Sequence, residues 1–174
     1  LNISVYLSYL CTLFMTTFES LGIEAGLLQS LETIGFVTPT PIQEQAIPVL
    51  LQGTKDFVGL AQTGTGKTAA FGLPLLQLIN KEQRTPQALV ICPTRELCLQ
   101  ITTDLERFAQ KGRLSITAVY GGTSITQQVR DLKRGTHIVV ATPGRLIDLI
   151  ERKAIHLEDI NYVVLDEADE MLNM

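Results

Sequence analysis

The sequence predicts an α/β domain: a mainly parallel β-sheet flanked by helices on both faces. Three observations carry this. Short β-rich runs alternate with helical stretches through most of the chain. Those runs are nearly continuously apolar rather than alternating, as strands buried on both faces require. A glycine-rich turn stands directly between the first such run and the helix after it.

The 174 residues suffice for one domain with a real core. Hydrophobic residues at 45% and charged residues at 18% indicate a globular chain rather than a disordered one. Trp is absent and aromatics are few, so the core should be aliphatic. A net charge of −4 argues against holding nucleic acid by bulk positive charge, though not against a local phosphate groove. Cys11, Cys92 and Cys98 have no metal-ligand spacing and are read as reduced thiols of a cytoplasmic protein.

Residues 1–14, "LNISVYLSYLCTLF", carry no charge. They are too short to span a membrane and lack the basic start of a signal peptide. They are read as an extraneous, read-through extension, with "MTTFESLG" as the natural opening. From Ser20 to Gly35 apolar residues recur at helical spacing, and Gly35 is a fitting stop. "TPTP" at 38–41 is extended, because residues before proline avoid the helical region. Pro41 then opens a helix closed by Gly53. Residues 15–53 form this helical region, and 54–174 the α/β part.

In that part strands are expected at 56–61, 88–93, 115–121, 137–143 and 162–167. Helices are expected at Lys67–Asn80, Arg95–Gln110, Thr126–Arg134 and Arg145–Glu151. Ligands of such sheets bind beyond the carboxyl ends of the strands. The informative motifs all fall there.

"AQTGTGKT" (61–68) has the form of a phosphate-binding loop. Gln62, Thr63, Gly64, Thr65 and Gly66 present backbone N–H groups to phosphate oxygens at a helix N-terminus. Lys67 reaches the β- and γ-phosphates and Thr68 offers a hydroxyl to Mg²⁺. A chance lysine in a glycine-rich turn is the plain alternative. The strand before, the helix after and Thr68 disfavour it. "DEAD" (166–169) lies about a hundred residues on, at a strand end. Asp166 can face the metal, and Glu167 can orient or deprotonate the attacking water. Acids decorating a helix N-terminus are the bland alternative.

These motifs, with "GFVTPTPIQ" (35–43), "PTRELCLQ" (93–100), "GG" (121–122) and "TPGR" (142–145), appear in one order. The chain resembles the N-terminal RecA-like domain of DEAD-box ATP-dependent RNA helicases, from about Phe18 to its end. Bacterial cold-shock and ribosome-assembly members look closest. The resemblance implies a RecA-like P-loop fold, incomplete at the C-terminus, and use of ATP and Mg²⁺. It implies that Gln43 reads adenine, Phe36 lies against the base, Phe18 braces the region, and Thr38 and Pro41 shape the pocket. Core packing is the alternative for Phe18 and Phe36.

It further implies that Pro93, Thr94, Arg95, Gly121, Gly122, Thr142, Pro143, Gly144 and Arg145 meet an RNA sugar–phosphate backbone, independently of sequence. Asp169 would couple hydrolysis to unwinding through a Ser-Ala-Thr motif that lies beyond this chain. "QQVR" (127–130) could be a Gln-x-x-Arg element ending in Gln127 and Arg130, or simply a solvated amphipathic helix. Lys111 to Arg113 and Lys133 to Arg134 are read as solvated surface. The expected partners are RNA, a second RecA-like domain supplying an arginine finger, and ribosome-assembly or RNA-decay factors; no membrane is expected. The full-length parent should couple ATP hydrolysis to local duplex unwinding, which the fragment alone should not do. A different P-loop ATPase, or a clamp without turnover, are the rival readings.

Overall fold

The computed structural model describes residues 16–53, 56–109 and 114–173. The expectations for residues 1–14, Cys11, and Lys111 to Arg113 lie outside them.

The described chain opens with two helices, α1 (Ala25–Thr33) and α2 (Pro41–Leu51). The first is shorter than the sequence suggests. Residues 18–22 form turns, with Ser20 and Thr17 exchanging hydrogen bonds that compete with a helical start. Pro41 sits at the first position of α2, where its missing N–H costs nothing. Then follow α3 (Lys67–Leu78), β1 (Ala88–Ile91), α4 (Arg95–Ala109), β2 (Ile116–Val119), α5 (Ile125–Lys133), β3 (Ile138–Ala141), α6 (Pro143–Glu151), β4 (Tyr162–Leu165) and α7 (Ala168–Leu172).

The four strands form one parallel sheet in the order β2-β3-β1-β4. The central pair is buried as its apolar runs require: Val90, Ile138, Val139, Val140 and Ala141 are fully enclosed. One core lies under α1 to α4, centred on Leu31, Ile47, Leu73, Leu76, Ile101 and Leu105. The other lies under α5 and α6, with Val119, Leu132, Val139, Leu146 and Leu149. Helices therefore cover both faces. His137 belongs to this scaffold. Its Nδ1 accepts from the Ser115 N–H at 2.9 Å, which leaves the proton on Nε2 to reach the Lys81 carbonyl at 3.2 Å.

The strand expected at 56–61 is not in the sheet. Residues 56–62 form no ladder, and Val58 and Leu60 are 88% and 95% exposed. The segment faces the outer edge of β4 across a slot of about 1240 Å³. Strands must approach to about 4.8 Å to exchange hydrogen bonds, and no ladder joins this segment to β4. Gly59 also weakens the segment's preference for a ladder. On the opposite bank of the slot, Val163 and Leu165 of β4 are more than half exposed.

Among the described residues no helix is long and apolar enough to cross a membrane.

Candidate nucleotide and nucleic-acid sites

The turn between residue 61 and α3 is built around Gly66, the N-cap of α3, at φ +89°. An added Cβ there would collide with the Gln43 amide. Gly64, at φ +79°, is exposed and open on its outer side. Both angles belong to the left-handed region that favours glycine. The Thr65 hydroxyl donates to the Gln62 carbonyl at 2.7 Å and closes the turn. The twelve-residue helix α3 thus presents its N-terminus, with unpaired N–H groups, at the mouth of the slot.

Opposite stands the end of β4. Asp166 is buried at 8% exposure, and its N–H is fixed by the Ile91 carbonyl at 2.9 Å. Its Oδ1 accepts from the Glu167 N–H at 3.1 Å and lies 3.8 Å from Lys67 Nζ. The distance exceeds a direct hydrogen bond, so the ion pair is held apart across the mouth. Glu167 has φ +53°, a rare conformation for a residue with a side chain. Asp169 follows in the first turn of α7, exposed and lining the same slot. A lysine and a carboxylate converging on a glycine-rich helix N-terminus suit a phosphate and its divalent metal: Lys67 for phosphate oxygens, Asp166 for the cation.

Gln43 is 1% exposed and joins α2 to this turn. Its Oε1 accepts from the Thr40 N–H at 2.9 Å, and its Nε2 donates to the Gly66 carbonyl at 3.0 Å. Each end of the amide retains one bonding position. Beside it the Thr40 hydroxyl is buried without a partner. Thr38 and Pro41 are exposed on the same approach. Phe18, 3% exposed, is part of the core. Phe36 packs edge-on against Phe108, ring centroids 5.5 Å apart, and neither ring lines the slot.

The second set of motifs converges on a groove of about 430 Å³ at the same end of the sheet. Pro93, Arg95, Gly121, Thr142, Pro143, Gly144 and Arg145 line it. They come from the loops after β1, β2 and β3 and from the first turns of α4 and α6. The Thr94 hydroxyl accepts from the Leu97 N–H at 3.2 Å and starts α4. The Arg95 guanidinium lies over the Tyr120 ring, 5.1 Å from its centre, in cation–π geometry. Gly122, at φ +78°, makes the turn beneath Arg95.

Gln127 and Arg130 are exposed, and the Gln127 amide donates to the Asp131 carboxylate. The buried member of that stretch is Gln128, which sequence reasoning passed over. It shares the inner face of α5 with Leu132, four residues on. An amide placed on an apolar face must find partners, and that was the available signal.

Cys92 and Cys98 lie between the two sites as free, fully buried thiols. Cys98 Sγ contacts the Val140 carbonyl at 3.3 Å. The Cys92 thiol is pushed up by its hydrogen bond to Cys98, by burial and by the nearby Asp166 and Glu167 charges, so it stays neutral.

This geometry is that of a parallel-sheet α/β domain with a glycine-rich helix N-terminus and two concave sites at one end of the sheet. The sequence profile of the DEAD/DEAH box helicases matches residues 40–174, and the chain belongs to that family. It is 58% identical over 157 residues to the DEAD-box ATP-dependent RNA helicase CshA of Streptococcus pneumoniae, covering 90% of this chain and 30% of that protein. CshA of Bacillus cereus is 53% identical over 160 residues, covering 92% of this chain and again 30% of the relative. The chain thus spans about 30% of the length of these curated relatives. A DEAD box protein from the hyperthermophile Methanococcus jannaschii superposes with a TM-score of 0.87 at 40% identity, over 92% of this chain and 44% of that one.

Proposed function

We propose that this chain is the ATP-binding part of an ATP-dependent RNA helicase and that, in the full-length protein, ATP hydrolysis drives local unwinding of RNA duplexes. The opposition of Lys67 and Asp166 at 3.8 Å, at the N-terminus of α3, carries the reading. Gln62 to Gly66 wrap the phosphates, Lys67 neutralises the β- and γ-oxygens, and Thr68 with Asp166 holds Mg²⁺. The metal, when bound, offsets charge on the transferring phosphoryl group. Glu167 orients the attacking water and takes its proton. Gln43 uses its remaining amide capacity on adenine, with Thr38 and Pro41 at the rim and Phe18 and Phe36 behind. Asp169 couples turnover to a motif outside this chain.

RNA runs along the groove lined by Pro93, Arg95, Gly121, Thr142, Pro143, Gly144 and Arg145, with Thr94 and Gly122 beside it. These are backbone amides and arginines suited to phosphates rather than base edges. A second RecA-like domain supplies an arginine finger and the facing half of both sites. A cytoplasmic location and factors of ribosome assembly or RNA decay as partners complete the reading. The isolated chain should bind adenine nucleotide weakly and unwind nothing.

The test is steady-state ATP hydrolysis by the full-length protein with RNA, with DNA and with neither. RNA should stimulate turnover and DNA should not. Glu167→Gln should retain nucleotide binding and lose about 10²-fold or more in kcat. Lys67→Ala should weaken both binding and turnover. Wild-type kcat in both variants would refute the assigned roles.

A further inference from the structure

We infer that Gln128 is a positioning residue, a latch that sets the geometry of the RNA groove by holding Arg145 against the loop after β2. The inference rests on the reading of that groove as the RNA site. Gln128 is 7% exposed, yet it touches three separate pieces of backbone and side chain at once. Its Oε1 accepts from Arg145 Nη1 at 2.7 Å. Its Nε2 donates to the Thr123 hydroxyl at 2.9 Å and to the Tyr120 carbonyl at 3.1 Å. Arg145 completes the loop by donating from Nη2 to the Thr123 carbonyl at 3.1 Å, while its Nε lies 4.0 Å from Asp148.

The contacts join two walls of the groove. Tyr120 and Thr123 bracket Gly121 and Gly122, and Arg145 closes the turn of Thr142 to Gly144 at the start of α6. Tyr120 also carries the Arg95 guanidinium on its ring, so the third wall is tied in through it. One buried amide therefore fixes the spacing between the phosphate-facing N–H groups of both turns and the direction of two arginines. A planar guanidinium has a fixed fork of donors, and its orientation is set by what the other donors meet. With Gln128 removed, Arg145 loses its shortest partner, and the Tyr120 carbonyl and Thr123 hydroxyl are left with their own 3.4 Å contact. The turns can then part without any change at the ATP mouth, which lies beyond β1.

The test uses the full-length protein and reads RNA-stimulated ATP hydrolysis as kcat and KM for a homopolymeric RNA. Gln128→Ala and the near-isosteric Gln128→Met should each raise the KM for RNA about tenfold, with kcat at saturating RNA held within about twofold. Gln128→Glu, which keeps an acceptor for Arg145 and for the Thr123 hydroxyl, should recover most of the loss. Adding Arg145→Ala to Gln128→Met should raise KM no further than Arg145→Ala alone, since the two act as a unit. Arg95→Ala serves as the independent probe of the groove. If Arg95→Ala raises the KM and Gln128→Met does not, the latch is overturned and the groove stands. If neither moves the KM, the groove reading fails and takes the latch with it. If Gln128→Met lowers kcat, RNA affinity and nucleotide affinity together, Gln128 has a general structural role and the latch is likewise overturned.

Discussion

Lys67 and Asp166 were legible from the sequence because each belongs to a motif whose neighbours dictate its backbone: glycines before the lysine, an apolar strand before the aspartate. Gln128 was not, because only its helical spacing from Ile125 and Leu132 separates it from the adjacent Gln127. Only the phase of α5 against the sheet decides which of two adjacent amides is buried. Gln43 was assigned a ligand, and its two protein partners, Thr40 and Gly66, come from a fold-level contact that no spacing rule encodes. Asp104 is a further case. It lies half-buried on α4 beside Arg107, whose Nη1 is 3.8 Å away. Burial raises its carboxyl above the ordinary 3.8 despite that cation. A carboxyl raised on folding binds more protons in the folded chain, so its cost is fully present at neutral pH and fades as pH falls through the raised value toward 3.8. Asp104→Asn should therefore raise the thermal midpoint at pH 7, with the advantage shrinking under acid. Thermal melts across pH 4 to 8, read by circular dichroism, check this.

At the scale of elements, four of the five expected strands and all of the expected helices after them formed, within a few residues. The boundaries moved inward where a proline or glycine ends the run, as after Ile91 and Ala141. The exception, 56–61, has a strand's composition and joins no ladder of the sheet. Composition can state a preference for a ladder, but a ladder needs a neighbour. The short α7 after Glu167 was weighed only as an alternative explanation of its acids. The packing of α3 on α4 was also invisible in sequence. Gly72 faces Leu105 so closely that an added Cβ would meet its Cδ2 at 2.5 Å, and Leu105 is fully buried. Gly72→Ala should gain helix propensity yet lose more to overpacking, a net destabilisation of about 1 kcal/mol. Urea denaturation of the variant would show it as a lowered midpoint with an unchanged slope. A higher midpoint would mean that the helices separate freely.

For the molecule as a whole, the central strands β1 and β3 are covered on both faces, while β4, at one edge of the sheet, leaves Val163 and Leu165 exposed. The outer edge of β4, with Val163 and Leu165, faces Val58 and Leu60 across the slot, an apolar surface on both banks. Unpaired edges of this kind recruit other strands. The 174-residue chain should self-associate as its concentration rises, and Leu165→Lys should suppress this. Sedimentation velocity over a concentration series would measure it; a monomer at every concentration would contradict it. The strand order β2-β3-β1-β4 has another outcome, in the time domain. Ala88 of the central strand pairs with Ile138 on one side and Tyr162 on the other, both made later. A chain emerging from the ribosome amino end first thus exposes β1, an entirely apolar strand, with no strand to receive it until β3 arrives. Synthesis of this domain includes an interval in which its future centre is its stickiest surface, and a pause in translation before residue 138 would lengthen it.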